Sequence, residues 1–256
     1  MMKRGAYKGV ATRNASLLER VRALKADHPF WGYRRIWAHL RFVDGLEVNQ
    51  KRIYRLMQDN ALLQACRTPQ KSKPKPDRPN QWWGIDMTKV MTDAGWVYIV
   101  IVLDWHTKKV VGHYAGDQSK AWHWLIALNR AVCRQFPQGA REAGQMLHLM
   151  ADNGCQPTSV AFMQAAAALG IQITFTSYNN PKGNADTERF MRTLKEELAW
   201  LREWSSQTSL ITALDNWIRH YNAAYLHSSL GYKPPETFEQ IYFISHSPNT
   251  LLNLAC

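Results

Sequence analysis

The sequence is poor in the features that mark a secreted, disulfide-held or membrane-spanning chain. Its 256 residues include four cysteines, Cys66, Cys133, Cys155 and Cys256. They lie far apart, form no CxxC pair and follow no zinc-ligand spacing. That excludes a disulfide framework and points to free thiols in a reducing compartment. The longest apolar runs, such as WVYIVIVL from Trp96 to Leu103, are far too short to span a bilayer. The basic start MMKRGAYKGVATRN has no apolar stretch behind it and does not read as a secretory signal. No internal repeat is present, and low complexity is confined to a Pro- and Lys-rich stretch before residue 82.

What is abundant is apolar and basic. Hydrophobic residues make up 46% of the chain, enough for a real core in one large domain or two smaller ones. Charge is unevenly placed. Residues 1–79 hold 18 Lys or Arg against 6 Asp or Glu, whereas residues 80–256 hold 14 of each. The whole excess of +12 therefore lies in the first third. A basic segment beside a neutral one suggests an anionic polymer gripped by one part and worked on by the other, although a solubilising arm would look the same.

Within that first third, apolar spacing predicts three short helices. The first runs from about residue 15 to 26, with Leu17, Leu18, Val21 and Leu24 on one side. The second is WGYRRIWAHLR, with Ile36, Trp37 and Leu40 facing a core and Arg34, Arg35 and Arg41 facing water or phosphate. The third is NQKRIYRLMQDNAL, capped by Asn49, with Ile53, Leu56 and Met57 inward and Lys51, Arg52 and Arg55 mostly outward. This outline suits a helix-turn-helix DNA reader or a small bundle that docks a partner. RTPQKSKPKPDRPNQ, with four prolines and five basic residues, then reads as an extended linker.

After Trp82 the periodicity becomes strand-like. WWGIDMTKVM, WVYIVIVLD and KKVVGHYAG read as sequential strands, broken at TDAG and at WHT. Then come helix KAWHWLIALNRAVCRQF, strand QMLHLMAD, helix TSVAFMQAAAALG, strand IQITFTS and helix ADTERFMRTLKEELAW. A further amphipathic helix, SLITALDNWIRHYNAAY, follows. This order predicts an α/β fold with a mixed five-stranded sheet flanked by helices.

Three carboxylates stand out by position. Asp86 lies inside an apolar strand, where a charge is costly unless paired or metal-bound. Asp152 ends another apolar strand. Glu188 lies near a helix start, on a face shared with Arg192 and Lys195. Converging carboxylates can hold two Mg²⁺ or Mn²⁺ ions about 4 Å apart, one to activate a hydroxyl and one to stabilise the departing oxygen. In-line phosphoryl transfer needs little more than this. Each residue also has a structural reading: an ion pair for Asp86, an Asx turn for Asp152, an ordinary surface acid for Glu188. Asp104, at the end of VYIVIVLD, is a rival with a setting like that of Asp152.

The blocks themselves carry a resemblance. With 35 residues between Asp152 and Glu188, NQWWGIDMTKV, ADNGCQPTSVAF and NPKGNADTERFMRTLKEEL resemble the DDE core of insertion-sequence transposases and retroviral integrases. FWGYRRIWAHLRFVDGLEVNQKRIYRLMQ and YNAAYLHSSLGYKPPETF resemble blocks flanking that core in OrfB-type transposases. The resemblance implies a ribonuclease H-like fold and metal-dependent strand cleavage and transfer at element ends. Asp86, Asp152 and Glu188 would be both catalytic residues and ligands of a two-metal Mg²⁺ or Mn²⁺ site. Ala151 and Asn153 depart from the residues common beside the second aspartate, a serine before it and a basic residue or histidine after it.

Expected domains are a basic helix-turn-helix-like region at 1–66, a linker at 67–80, the catalytic core at 81–240 and an unassigned tail at 241–256. Expected nucleic-acid contacts are Arg34, Arg35, Lys51, Arg52, Arg55, Lys182, Arg192 and Lys195. The implied partners are double-stranded DNA, as terminal repeats and target, and an upstream-frame OrfA partner or a fusion to it. A homo-oligomer on DNA in a bacterial cytoplasm, near the nucleoid and away from membrane, completes the expectation. A same-fold nuclease that does not join strands, and a regulatory DNA-binding partial transposase, are the alternatives.

Overall fold

The structure is a computed structural model that describes residues 8–29, 31–63, 75–140, 146–176 and 184–246. The chain divides into two compact units. One holds the described residues of 1–69 together with 226–233, and the other holds those of 70–225 and 234–256.

The first unit is helical: α1 (Lys8–Asp27), α2 (Tyr33–Phe42) and α3 (Gln50–Asp59). Asn49 caps α3 as expected, its side chain accepting the Lys51 N–H at 2.8 Å. The apolar spacing of each helix closes on one cluster, with Val21, Ile36, Leu40, Ile53 and Met57 fully buried. An Arg20–Asp44 ion pair at 2.7 Å ties α1 to the turn after α2. The segment Leu226–Lys233 completes this unit through Tyr232. Its ring meets those of Trp37 and Phe42, and its hydroxyl accepts from the Gln50 amide at 3.0 Å.

The second unit is built on β1 (Trp82–Thr92), β2 (Gly95–Asp104), β3 (Val110–Gly116), β4 (Leu147–Ala151) and β5 (Ile171–Phe175). The strand order is β3-β2-β1-β4-β5, antiparallel from β3 to β1 and parallel from β1 through β4 to β5. The helices are α4 (Ala121–Gln135), α5 (Val160–Ala168), α6 (Ala185–Leu194), α7 (Gln207–Ala224) and α8 (Pro235–Ser245). This is the expected mixed five-stranded, ribonuclease H-like architecture preceded by a helical region.

Period-two alternation sends side chains of each strand to opposite faces, and the sheet carries a core on both. Ile85, Val100, Val102, Leu147 and Leu149 face Trp124, Leu128 and Val132 of α4 and Phe162 of α5. Ile99, Ile101, Leu103 and Met150 face Phe190 and Leu194 of α6 and Leu214 and Ile218 of α7. Each such buried side chain contributes about 1.5–3 kcal/mol of transfer free energy. Asp86 and Asp152 therefore belong by parity to the face that α6 and α7 cover. No helix among the described residues is long and apolar enough to cross a membrane.

Two predicted helices differ: the first, expected from about residue 15, begins at Lys8, and the second difference lies after β5. ADTERFMRTLKEELAW is α-helical only to Leu194, and Lys195–Ala199 forms a π-helical turn. In that turn Glu197 accepts a hydrogen bond from the Tyr225 hydroxyl at 2.8 Å. The π-helical turn lies outside what apolar periodicity can report, because a single wider turn is too short to show a period of its own.

A candidate carboxylate site

Asp86 sits in the middle of β1, hydrogen-bonded at 2.8 Å from the Met87 N–H to its Oδ1. Burial pushes its carboxyl up to about 6. The Met87 hydrogen bond opposes that shift, the charges of Asp152 and Glu188 add to it, and Lys195 pulls it back. The residue is thus felt electrostatically by both other candidates and by one cation. Asp152 lies one residue past β4 and is exposed, and its Oδ1 accepts the Gly154 N–H at 3.1 Å. The Asx turn anticipated for it is present, and it fixes one oxygen only. Glu188 is exposed in the first turn of α6.

These charges act on one another, yet among the described residues no group of three His, Cys, Asp or Glu side chains converges closely enough to hold a metal ion. Charges interact over several ångströms more than a coordination bond spans, so the two observations are compatible.

The neighbours of Asp152 are structurally employed. Ala151 is buried, and its carbonyl accepts the Thr176 N–H at 3.0 Å. The Asn153 side chain donates back to the Thr176 carbonyl. Together they fasten the chain beyond β4 to that beyond β5.

Asp104 is different in kind. It is 1% exposed, and its oxygens accept the N–H groups of Asn80, His106 and Thr107 at 2.6, 2.7 and 2.8 Å. Burial pushes its carboxyl up while these donors hold it back. It organises the turn Asp104–Lys109, where its own N–H also donates to the Lys109 carbonyl at 2.9 Å.

The candidate nucleic-acid contacts fall into two groups. On the helical unit Arg34, Lys51 and Arg55 are exposed, and Arg35 is half-buried. Arg52 is half-buried and donates twice to the Asn14 side chain, at 2.8 and 3.1 Å, so it also braces α3 against α1. On the sheet unit Arg192 is exposed and Lys195 half-buried. Lys182 lies outside the described residues.

Sequence reasoning missed the residues that bind α6 to the sheet. Thr187 is fully buried and accepts a hydrogen bond from the Trp105 indole at 3.0 Å. Gly84, two residues before Asp86, faces them: a Cβ there would stand 1.9 Å from Thr187 Oγ1 and 2.5 Å from Trp105 Nε1. Asn184 donates to the Ile85 carbonyl at 3.4 Å, and Lys108 pairs with Asp186 at 3.2 Å. A glycine inside a strand often marks a close approach of another element, and that signal was available at Gly84.

The comparisons agree with this architecture. The chain matches the integrase core domain family over residues 76–181, and a second family of the same description over 169–235. An HTH-like domain family matches residues 12–70. Residues 76–235 thus resemble integrase core domains and the preceding residues 12–70 an HTH-like domain. The chain is related to the transposases and integrases of the DDE superfamily.

Among its relatives is a protein of insertion sequence element IS986/IS6110 from Mycobacterium tuberculosis (strain ATCC 25177 / H37Ra). It is 27% identical over 250 residues, covering 90% of this chain and 89% of the relative. Another is the transposase InsD for insertion element IS2A/D/F/H/I/K from Escherichia coli, 26% identical over 249 residues, covering 89% and 79%. In a simian T-cell lymphotropic virus intasome solved in complex with PP2A regulatory subunit B56 gamma, a chain superposes with a TM-score of 0.53 at 16% identity. That match covers 90% of this chain and 75% of the other and shows likeness of fold.

Proposed function

We propose that this chain is the catalytic subunit of an OrfB-type insertion-sequence transposase, which cleaves DNA strands at element ends and transfers them to target DNA. The observation that carries the reading is the shared field at Asp86. Two acids from β4 and α6 bear on a carboxyl buried in β1 of an integrase core. Relatives that are transposases for insertion elements support the substrate class.

Asp86, Asp152 and Glu188 take the catalytic roles in this reading. Their donors are all carboxylate oxygens, the kind that hard divalent cations choose, and mutual repulsion of like charges favours a cation among them. They would hold Mg²⁺ or Mn²⁺ as a two-metal site, which activates the attacking hydroxyl and stabilises the leaving oxygen when bound. Lys195 and Arg192 carry positive charge beside the acids and suit the scissile phosphate's neighbours. Lys182, at 182 in the same block, joins them in this proposal.

Arg34, Arg35, Lys51, Arg52 and Arg55 supply the basic face of the helical region, where double-stranded DNA is held by its phosphates. An OrfA product from an upstream frame, as partner or fusion, and a homo-oligomer on DNA complete the proposed assembly. The working domains are those set out above: DNA-binding region 1–66, linker 67–80, catalytic core 81–240.

The test is to incubate the full chain and an OrfA–OrfB fusion with a labelled terminal-repeat duplex and a target plasmid, with Mg²⁺ or Mn²⁺. Cleaved ends joined to the plasmid are expected. Cleavage without joining would make the protein a nuclease of the same fold. Binding without either would make it a regulator.

A further inference from the structure

Trp105 touches, directly or through one neighbour, every element that carries a candidate carboxylate. It is 1% exposed in the turn after β2. Its backbone N–H donates to the Trp82 carbonyl of β1 at 3.0 Å, and its ring stacks on Trp82 with centroids 5.8 Å apart and planes 8° from parallel. Trp82 in turn stacks on His148 of β4 at 4.5 Å, its partner in the β1–β4 register. The indole N–H reaches α6 at Thr187, the residue before Glu188. Lys108, in the same turn, donates to the Trp105 carbonyl at 2.5 Å and pairs with Asp186. The Tyr221 hydroxyl donates to the Lys108 carbonyl at 3.0 Å.

We propose that Trp105 is a positioning residue for the carboxylate site, setting through its indole N–H the seat and rotation of α6 on β1 and hence where Glu188 stands relative to Asp86. The proposal rests on the assignment of Asp86, Asp152 and Glu188 as the metal-holding acids. Successive residues leave a helix 100° apart, so a fixed direction for Thr187 fixes that of Glu188. Gly84 lets the helix come this close, because any side chain there would displace the Trp105–Thr187 bond. The apolar face of Phe190, Met191 and Leu194 sets the rotation of the helix only coarsely. The buried Trp105–Thr187 hydrogen bond adds a directional tie immediately before Glu188 to those of Asn184 and Asp186 nearer the helix start, and partners that orient ligands typically matter about 10–100-fold in metal affinity or activity.

The experiment uses the full chain with Trp105→Phe, which keeps the stack and removes the donor. Thr187→Val keeps the shape and removes the acceptor, and Thr187→Ser keeps the acceptor. Mn²⁺ binding is followed without DNA by loss of the free-ion paramagnetic resonance signal, alongside melting temperature and cleavage per bound duplex. Trp105→Phe and Thr187→Val are each expected to weaken Mn²⁺ binding about ten-fold or more. Combining them should add little, and Thr187→Ser should stay near the wild type. Mn²⁺ binding unchanged in both donor and acceptor variants would overturn the proposal, whatever happens to melting. Should Trp105→Phe fail to fold, the Thr187→Val against Thr187→Ser comparison decides alone. A wild type that binds Mn²⁺ no better than an Asp86→Asn/Glu188→Gln double variant would instead remove the site assignment, and the proposal with it.

Discussion

The Asn80 N–H donates to Asp104 Oδ2 at 2.6 Å, joining the chain two residues ahead of β1 to the last residue of β2. With His106 and Thr107 on its other oxygen, Asp104 is an acceptor for three backbone donors in a buried turn. Replacing it with Ala would strand those donors, at about 3 kcal/mol or more. Chemical denaturation of Asp104→Ala checks this. Asp104→Asn keeps one acceptor and should retain most cleavage per folded molecule. Wild-type stability for Asp104→Ala would contradict the structural role.

Asp86 gives a pH dependence with a defined sign. Its folded value of about 6 lies above the ordinary 3.8, so the folded state holds this proton more tightly than the unfolded chain does. The resulting stabilisation is complete below pH 3.8 and is lost as pH rises through 6. In metal-free buffer Asp86→Asn should therefore be more stable than wild type by roughly 2–3 kcal/mol above pH 7. The gain should shrink towards zero near pH 4. Melting curves across that range check it, and a gain independent of pH would point to another cause.

Gly84→Ala places a methyl group where Thr187 and Trp105 meet. Overpacking of this kind costs about 1–3 kcal/mol, and more where the backbone cannot yield. Denaturant titration should show the loss. A neutral substitution would mean that α6 shifts freely on β1.

The basic helical face predicts a salt effect. Lys51 and Arg55 are exposed on α3. Removing both should flatten the slope of log affinity against log salt by up to about 0.9 for each DNA phosphate that is no longer neutralised. Duplex titrations at several salt concentrations measure it. An unchanged slope would place the grip elsewhere, Arg34 and Arg192 being exposed alternatives.

The succession of strands and helices was readable from the chain because burial imposes periods of two and 3.6. Ile85 and Val102 betray one face and Ile99 and Leu103 the other. The strand-end position of Asp152 and the apolar setting of Asp86 were legible for the same reason. The turn WHT read only as a break, since no period reveals that Trp105 donates to Thr187 eighty-two residues away. Asp104 and Asp152 looked alike because both follow apolar strands. Burial and the three backbone donors folded around Asp104 separate them. The π-helical turn at Lys195–Ala199 was hidden for a related reason: a single turn is too short to show a period of its own.

The central claim is that Asp86, Asp152 and Glu188 act together on one phosphate-transfer site. The most direct measurement is Mn²⁺-dependent cleavage of a labelled terminal-repeat duplex, per bound complex, for Asp86→Asn, Asp152→Asn and Glu188→Gln beside Asp104→Asn. The account predicts that each of the first three folds, binds duplex nearly as wild type and loses cleavage by about a hundred-fold or more, while Asp104→Asn keeps substantial activity. Cleavage surviving in Asp152→Asn or Glu188→Gln, or reduced only in proportion to DNA binding, would contradict it.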